Sequence, residues 1–527
     1  MILETKKNRR LSSIGIILLM FVPICIAAFF RDVTNVDELW NYNFANNICK
    51  GQLPYRDFNL LQTPFSCLVN AGFLSVFGKY IVSIRFAGVL LFLGVSLLLY
   101  RESGLMGAGR IASLVVPFAF VTMFFWDIFF EYNVLILLFL LSAMVMDLIS
   151  WQKRKRQRAV THIFIGILMG LAIMSKQTYG FFVAAASVIV AFLTAPAFAD
   201  RSGKGKRQDF VEKHDITEDD NTTEDSIQKS GTLKLRFRAA LLRILGIAIP
   251  CMVFLIYLLV TDTFGNFLDM CLYGIREFSG VYAYSAFMME NPAYFLGGLL
   301  FPALVIVSII VAIRTKHKNK RMKLVICLVY SISGCISLYP LANSYHVALS
   351  AIPFLPLIFQ ILPKRFLVKK LFIVVETFAV VAMTLFLSVI VPVINCRKAK
   401  LCVEGFSHYA YTFMDKSTIE DLKDVVAYVG SMKIQGWDVY ILDNYASFYL
   451  IPLNIYHNGL DMFLLGNLGT KPPGEWIREA EEKGNAIFLT PEDGRGNWQF
   501  PWEALNEAKK RWRKGKNMGE FDIYFVH

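Results

Sequence analysis

The chain has few of the residues that mark soluble enzymes and metal proteins. Charged residues make up only 18% of its 527 positions, and there are seven histidines. The nine cysteines form no CxxC pair, which makes a zinc ribbon improbable. No internal repeat and no long low-complexity tract beyond one polar linker is visible, which argues against a solenoid or a repeat array.

Apolar residues dominate instead. A hydrophobic content of 55% and a mean hydropathy of +0.48 exclude a soluble chain of this length. Because a membrane-spanning helix needs about 20 apolar residues, the sequence predicts an α-helical polytopic membrane protein with about eleven spans. They lie near residues 12–30, 81–100, 111–128, 133–150, 160–175, 178–197, 240–261, 293–313, 323–339, 346–362 and 370–394.

The distribution of Lys and Arg predicts the orientation of these spans. Basic clusters occur at 6–10, 153–158, 204–207, 314–323 and 364–370, and they alternate with loops that are nearly free of basic residues. By the positive-inside rule the basic loops are cytoplasmic, so the N-terminus lies inside and the C-terminus outside. The formal net charge of +13 is therefore a topological signal, and no nucleic-acid partner is expected. No cleavable signal peptide is evident.

The chain divides into a membrane domain, residues 1–394, and a small C-terminal extracytoplasmic α/β domain, residues 395–527. In the latter, GWDVYILDNYASFYLIPL, NAIFLTP and FDIYFVH predict strands, with helices between them. Residues 199–238 are polar and of mixed charge, which predicts a flexible cytoplasmic linker loop. Cys396 and Cys402 lie on the outer side, where a disulfide is permissible.

Most polar chemistry falls in the outward loops. Residues 31–80 form the first outer loop, and it carries the adjacent acids Asp37 and Glu38. Further polar residues follow in later outward loops, and together they predict one cavity at the outer face: Gln62, Asp127, Glu131, Tyr132, Lys176, Gln177, Asn343, Tyr345 and His346. Transfer of a group from a lipid phosphate to a hydroxyl would need a carboxylate base and cationic or hydrogen-bonding groups at the departing phosphate.

Several segments resemble the GT-C glycosyltransferases, in the group of protein mannosyltransferases and bacterial aminoarabinose transferases. The run DVTNVDELWNYNFANNICKGQLPYRDFNLLQTPFSCLVNAGFLSVFG is similar to their first outer loop, in which an acidic pair precedes a Gly-containing turn, a Pro-containing segment and a helix along the membrane. DIFFEYN, MSKQTYG and YPLANSYH are similar to later features of the same enzymes. The resemblance covers roughly residues 10–400.

The resemblance implies roles for individual residues. Asp37 matches the catalytic base, and Glu38 matches the neighbouring acid. Gln62-Thr63-Pro64 stands where many bacterial members have Lys-Pro-Pro at the donor phosphate. That cationic contact is therefore absent or supplied elsewhere, and Lys176 or Arg276 could substitute for it. The acid of the second loop is Asp127 or Glu131, and spacing does not choose between them.

The implied activity is transfer of a sugar from a polyprenyl-phosphate donor to a cell-envelope glycan, lipid or protein. The donor, the acceptor and membrane lipids are the expected partners, and Mg²⁺ or Mn²⁺ held by Glu38, Asp127 and Glu131 is a possible cofactor. The rival is a transporter or flippase of lipid-linked saccharides. Transporters have related halves and polar groups near the midplane, whereas this sequence shows no repeat and no charges that are evidently buried deep in its spans.

Overall fold

The fold was analysed in a computed structural model. It describes residues 6–29, 31–33, 35–124, 127–153, 157–195, 221–277, 283–361, 401–457, 459–491 and 499–526, with the isolated residues 371, 374, 375, 378 and 382. The predicted eleventh span lies almost entirely outside these residues.

Long apolar helices form the membrane part. Its helices in chain order are α1 Lys6–Phe29, α2 Val36–Cys49, α3 Phe65–Phe77, α4 Ile81–Leu105, α5 Arg110–Met123, α6 Tyr132–Lys153, α7 Ala159–Ile173, α8 Gln177–Thr194, α9 Asn221–Val260, α10 Phe264–Leu268, α11 Tyr284–Met289, α12 Pro292–Arg314, α13 Lys318–Gly334, α14 Ser344–Ala351 and α15 Leu355–Ile361. Among the described residues, six helical segments are long and apolar enough to cross a membrane: 81–105, 132–153, 177–194, 233–260, 292–314 and 318–338. Four shorter apolar helices accompany them. The membrane character is confirmed, and the number eleven stays a prediction.

One predicted boundary differs from the structure. The linker was predicted to extend to residue 238, but α9 is already helical from Asn221. The first turns of α9 are polar, and a hydropathy window detects only its apolar second half. Residues 199–220 of the predicted linker lie outside the described part of the chain.

Glycines bring α7 close to α9. A Cβ atom at Gly166 would lie 2.3 Å from the carbonyl oxygen of Arg243, and one at Gly170 would lie 2.3 Å from the Pro250 ring. Small residues four positions apart let helix backbones approach closely within a membrane. Gly180 does the same for the α7–α8 hairpin, since its Cβ would lie 2.2 Å from the Ala172 carbonyl oxygen. This packing holds the tip of that hairpin, where Lys176 lies, against the bundle.

The C-terminal domain is an α/β unit, as predicted. A small antiparallel pair, β1 Leu401–Cys402 and β2 Phe413–Met414, precedes helix α16 Lys416–Ile434. The main sheet has the order β3-β4-β6-β5, with β3 parallel to β4 and the other neighbours antiparallel. Its strands are β3 Asp438–Ile441, β4 Ala486–Pro491, β5 Arg513–Lys514 and β6 Phe521–Phe525, and the further helices are α17 Ala446–Leu450, α18 Pro473–Glu482 and α19 Trp502–Lys509.

Alternation along the strands builds a core on each face of this sheet. On β3, Val439 and Ile441 join the core that contains α16, whereas Tyr440 packs in the core beneath α18 and α19. The first core continues into α2 through Leu39 and Tyr42. The domain is therefore packed directly onto α2.

The prediction of strand is wrong for the second half of the segment GWDVYILDNYASFYLIPL. After Ile441 the chain leaves the sheet, and residues 446–453 form α17 and a 3₁₀ turn. Ala446 to Ile451 are all buried, and a continuous apolar run does not distinguish a buried strand from a buried helix. Of the two cysteines for which a disulfide was permissible, Cys402 is an exposed free thiol among the described residues, and Cys396 lies outside them.

Candidate active site

A cavity of about 410 Å³ lies where the helix ends on one side of the bundle meet the C-terminal domain. The membrane part supplies its floor and walls through the start of α2, the α2–α3 loop, the start of α6, the α7–α8 turn and the segment before α14. The C-terminal domain supplies its roof. The lining residues are Val36, Asp37, Trp40, Leu61, Gln62, Tyr132, Lys176, Gln177, Thr178, Ile275, Pro340, Leu341, Asn343, His346, Asn444, Leu464, Asn467 and Gln499.

Asp37 lies in the first turn of α2, whose N-cap is Asn35. The Asn35 side chain accepts a hydrogen bond from the Glu38 amide at 3.2 Å, which fixes the start of the helix. The Asp37 side chain is accessible from the cavity although protein surrounds it. No hydrogen bond to a described residue occupies its carboxylate. Burial within the protein and the nearby charge of Asp127 raise the Asp37 pKa to about 6, against the opposing influence of Lys176.

Lys176 is the cation that lines the same cavity. Its Nζ atom donates to Asn133 Oδ1 at 3.2 Å and lies 5.2 Å from the centre of the Tyr132 ring. Burial lowers the Lys176 pKa, while the charges of Glu131 and Asp37 raise it. The ammonium group therefore lies between two acids and within reach of the cavity.

Glu131 is buried behind this lysine. One oxygen accepts from Asn133 Nδ2 at 2.5 Å, and the other accepts from the Val134 amide at 3.0 Å and from the Tyr345 hydroxyl at 2.8 Å. Burial raises the Glu131 pKa. Because Asn133 bonds both Glu131 and Lys176, Glu131 and Tyr345 position the lysine through Asn133. Neither Glu131 nor Tyr345 lines the cavity.

Glu38 points away from the cavity into a buried ion-pair cluster. Its oxygens accept from Arg85 Nε at 2.7 Å and Nη2 at 2.8 Å, and from Arg31 Nη2 at 3.0 Å. Burial raises the Glu38 pKa, but the two arginines outweigh burial and hold that pKa below its usual value. Arg85 also donates to the carbonyl oxygens of Ala28, Arg31 and Asp32. The cluster ties α4 to the end of α1 and to the first turn of α2, and so orients Asp37.

The other predicted residues are placed at different distances from the cavity. Gln62 and His346 line it. The Asn343 side chain accepts from the His346 amide at 3.0 Å and bonds His346 Nδ1 at 2.7 Å, which leaves Nε2 as an acceptor in the neutral ring. Asp127 accepts from Asn35 at 3.0 Å, and burial raises its pKa. Arg276 is exposed on a 3₁₀ turn beside the lining residue Ile275.

Two of the three carboxylates predicted to hold a metal, Glu38 and Glu131, do not fit that role. Glu38 forms ion pairs with two arginines, and both Glu131 oxygens accept hydrogen bonds from protein donors. Within the described ranges, no group of three or more His, Cys, Asp and Glu side chains is placed to hold a metal ion.

Two groups of residues escaped the sequence analysis. The roof residues Asn444, Asn467 and Gln499 come from the C-terminal domain, and nothing local marks them. Charged side chains buried near the ends of the apolar helices are the second group. Arg85 and Arg243 are 0% exposed, and Asp147 is 2% exposed. A composition window that tolerates one charge in 20 residues does not report them.

Comparison with known proteins agrees with this architecture. Residues 62–203 match the family model of dolichyl-phosphate-mannose-protein mannosyltransferases. The solved structure of ArnT from Cupriavidus metallidurans bound to undecaprenyl phosphate superposes with a TM-score of 0.55 at 12% identity, covering 99% of this chain and 99% of that chain.

The oligosaccharyltransferase of Archaeoglobus fulgidus, tethered to an acceptor peptide with an NVT sequon, gives a TM-score of 0.51 at 13% identity, over 99% of this chain and 74% of that one. No curated protein sequence matches the chain significantly. At these identities the structural likeness concerns the fold. The resemblance to the GT-C superfamily is thereby confirmed, and the chain has the GT-C fold.

Proposed function

We propose that the protein is a glycosyltransferase that moves a sugar from a polyprenyl-phosphate donor to a hydroxyl group of a cell-envelope glycan, lipid or protein, at the outer face of the membrane. The observation that carries the proposal is the pairing of Asp37 and Lys176 in one cavity. Asp37 is a carboxylate without a hydrogen bond to the described residues. Lys176 is a cation whose position is fixed by a hydrogen bond to Asn133.

Asp37 and Lys176 have different roles in the reaction: Asp37 acts on the acceptor hydroxyl, and Lys176 acts on the leaving phosphate. Asp37 removes the proton of the acceptor hydroxyl, whose oxygen attacks the anomeric carbon of the donor sugar. The bond between that carbon and the phosphate oxygen breaks, and the phosphate leaves on the polyprenol with the electron pair. Attack opposite the leaving group inverts the anomeric configuration. A base with a pKa near 6 is mostly ionised at neutral pH and still accepts a proton effectively.

Lys176 stabilises the negative charge that the departing phosphate gains. Its position is set by Asn133, which Glu131 holds in turn. Gln62 lies in the same lining and adds a neutral hydrogen-bonding group near the place where many bacterial relatives carry a lysine. Gln62 cannot supply the positive charge of the motif lysine. Lys176 supplies that charge instead, from the α7–α8 hairpin.

The undecaprenyl phosphate of ArnT and the acceptor peptide of the oligosaccharyltransferase support the classes of donor and acceptor. The C-terminal domain contributes acceptor contacts, because its amide side chains Asn444, Asn467 and Gln499 face the cavity opposite the bundle. Amides donate and accept hydrogen bonds at once, which suits sugar hydroxyls.

Purified protein with radiolabelled polyprenyl-phosphate sugars and envelope extracts tests the proposal. Wild-type protein should transfer label to an acceptor, and Asp37→Asn should abolish most of that transfer. The rival function, a flippase, predicts movement of label across proteoliposome membranes without transfer. Movement that survives Asp37→Asn, with no labelled acceptor in either sample, would establish the rival.

A further inference from the structure

A second polar cavity, of about 390 Å³, lies at the far ends of the helices that form the active site. Helix α6 connects the two cavities, since Tyr132 lines the first and Trp151 lines the second. At 1.5 Å per residue these positions are about 28 Å apart. That distance is close to the roughly 30 Å thickness of the hydrocarbon core. The second cavity therefore lies at the opposite membrane boundary, beside the basic loop that the charge pattern predicts to be cytoplasmic.

The floor of this cavity is a neutralised ion pair. Arg243 donates to both oxygens of Asp147, at 3.0 and 2.5 Å, and to the Ser187 carbonyl oxygen at 2.7 Å. Asp147 also accepts from the Tyr330 hydroxyl at 2.8 Å and from Gln157 Nε2 at 2.7 Å. Asp147 is the only carboxylate among the described residues that line the cavity. Because Arg243 neutralises its charge, Asp147 does not repel an anion at the mouth.

The described residues at the mouth are positively charged. Arg158 and Arg238 line it with exposed side chains, and neither guanidinium forms an ion pair or hydrogen bond with the described residues. Helix α7 begins at Ala159 in the same wall without a side-chain cap. Its first amide groups are therefore available to an anion as well. Guanidinium groups match the geometry of phosphate oxygens better than any other side chain does.

One side of the cavity continues into the lipid-facing surface of α9. Phe237, Leu241 and Ile244 are exposed beside the mouth, with 61%, 55% and 48% of their surface accessible. A ligand with a phosphate headgroup and acyl chains would place its headgroup between the arginines and its chains along this surface. A soluble anion would use only the first half of the site.

We propose that this cavity binds the phosphate headgroup of an anionic membrane lipid, at the boundary opposite the active site, through Arg158 and Arg238. The site is separate from the proposed transfer chemistry and would persist if that proposal failed. It would hold the ends of α6, α7, α8 and α9 in register, because residues of all four line it.

Native mass spectrometry of the full-length detergent-purified protein tests the site. The probes are phosphatidylglycerol and phosphatidylcholine with identical acyl chains. Wild-type protein should retain phosphatidylglycerol at least about tenfold more strongly than the Arg158→Gln/Arg238→Gln variant does, since two charge-assisted contacts are lost. Phosphatidylcholine retention should be the same in both proteins. The matched control is Arg314→Gln/Lys316→Gln, which removes two exposed charges from another basic loop and should keep wild-type retention.

Equal retention of phosphatidylglycerol by wild type and by the Arg158/Arg238 variant overturns the proposal, and so does equal loss in the control. A second measurement separates lipid from soluble anion. In nanodiscs of phosphatidylcholine, inorganic phosphate should raise the unfolding temperature of wild type no more than that of the variant. Arginine-dependent stabilisation by inorganic phosphate alone would assign the site to a soluble anion and overturn the lipid assignment.

Discussion

The pH dependence of transfer is the most direct test of Asp37 as the base. With a pKa of about 6, raised by burial and by Asp127, this carboxyl is about nine-tenths ionised at pH 7 and about one-tenth ionised at pH 5. A general base must be deprotonated to act, so kcat/KM should rise about tenfold between pH 5 and pH 7 and then level off. An unperturbed aspartate, with a pKa near 3.9, would give almost no change over this range.

Two substitutions should shift the rising limb of this pH profile, the part between pH 5 and pH 7, in opposite directions. Asp127→Asn keeps an oxygen for the Asn35 hydrogen bond but removes the negative charge that raises the Asp37 pKa. Its limb should shift to lower pH. Lys176→Gln removes the positive charge that lowers the Asp37 pKa, and its limb should shift to higher pH.

The assay is initial-rate transfer from a radiolabelled polyprenyl-phosphate sugar, measured from pH 4.5 to 8 with unfolding monitored in parallel. Asp37→Asn should lower kcat by about 10² to 10⁴, the usual contribution of a general base, and abolish the limb in the remaining activity. A wild-type profile that is flat between pH 5 and 7, or shifts of both variants in the same direction, would refute the assignment.

Three further predictions follow from the same contacts. Lys176→Gln should weaken use of the donor far more than use of the acceptor in initial-rate kinetics, because the lost contact is to the leaving phosphate. Glu38→Gln should lower the free energy of unfolding by about 3–5 kcal/mol in denaturant titrations, because it leaves the buried charges of two arginines without their partner. A reporter fused after residue 527 should be active outside the cell, and one inserted at Gly203 should report inside.

Each of these predictions has its own control or contrary outcome. Arg276→Gln is the control for the lysine, because Arg276 does not line the cavity; equal effects of the two variants would leave Lys176 as an interfacial residue. Arg56→Gln removes an exposed partner of Asp57 and should change the free energy of unfolding by at most about 1 kcal/mol. The reverse reporter pattern would place the acidic loop in the cytoplasm and make nucleotide sugars the plausible donors.

The sequence was sufficient to predict those parts of the candidate site that a local sequence pattern marks. Asp37 and Glu38 could be located because acids in the first turn after a span stand out against an apolar background. Lys176 could be located because it is a charged residue between two apolar spans. Sequence adjacency did not separate the roles of the two acids. Neighbouring residues in a helix point about 100° apart, and here one carboxylate faces the cavity while the next meets Arg85, 47 residues away.

The roof of the cavity illustrates why the remainder of the site was not predictable. Asn444 follows β3 in a buried turn, and its backbone oxygen accepts from Trp40 Nε1 on α2 at 3.1 Å. The Asn467 carbonyl oxygen accepts from Asn59, and Thr470 contacts Asp269 of the membrane part. These contacts span 201 to 408 positions in sequence, so no local pattern encodes them. Yet they determine which amides face Asp37, because they fix how the domain sits on the bundle. If the proposed function is right, discrimination between acceptors depends on this docking as much as on side-chain identity, and loops of the C-terminal domain could change the acceptor without altering Asp37.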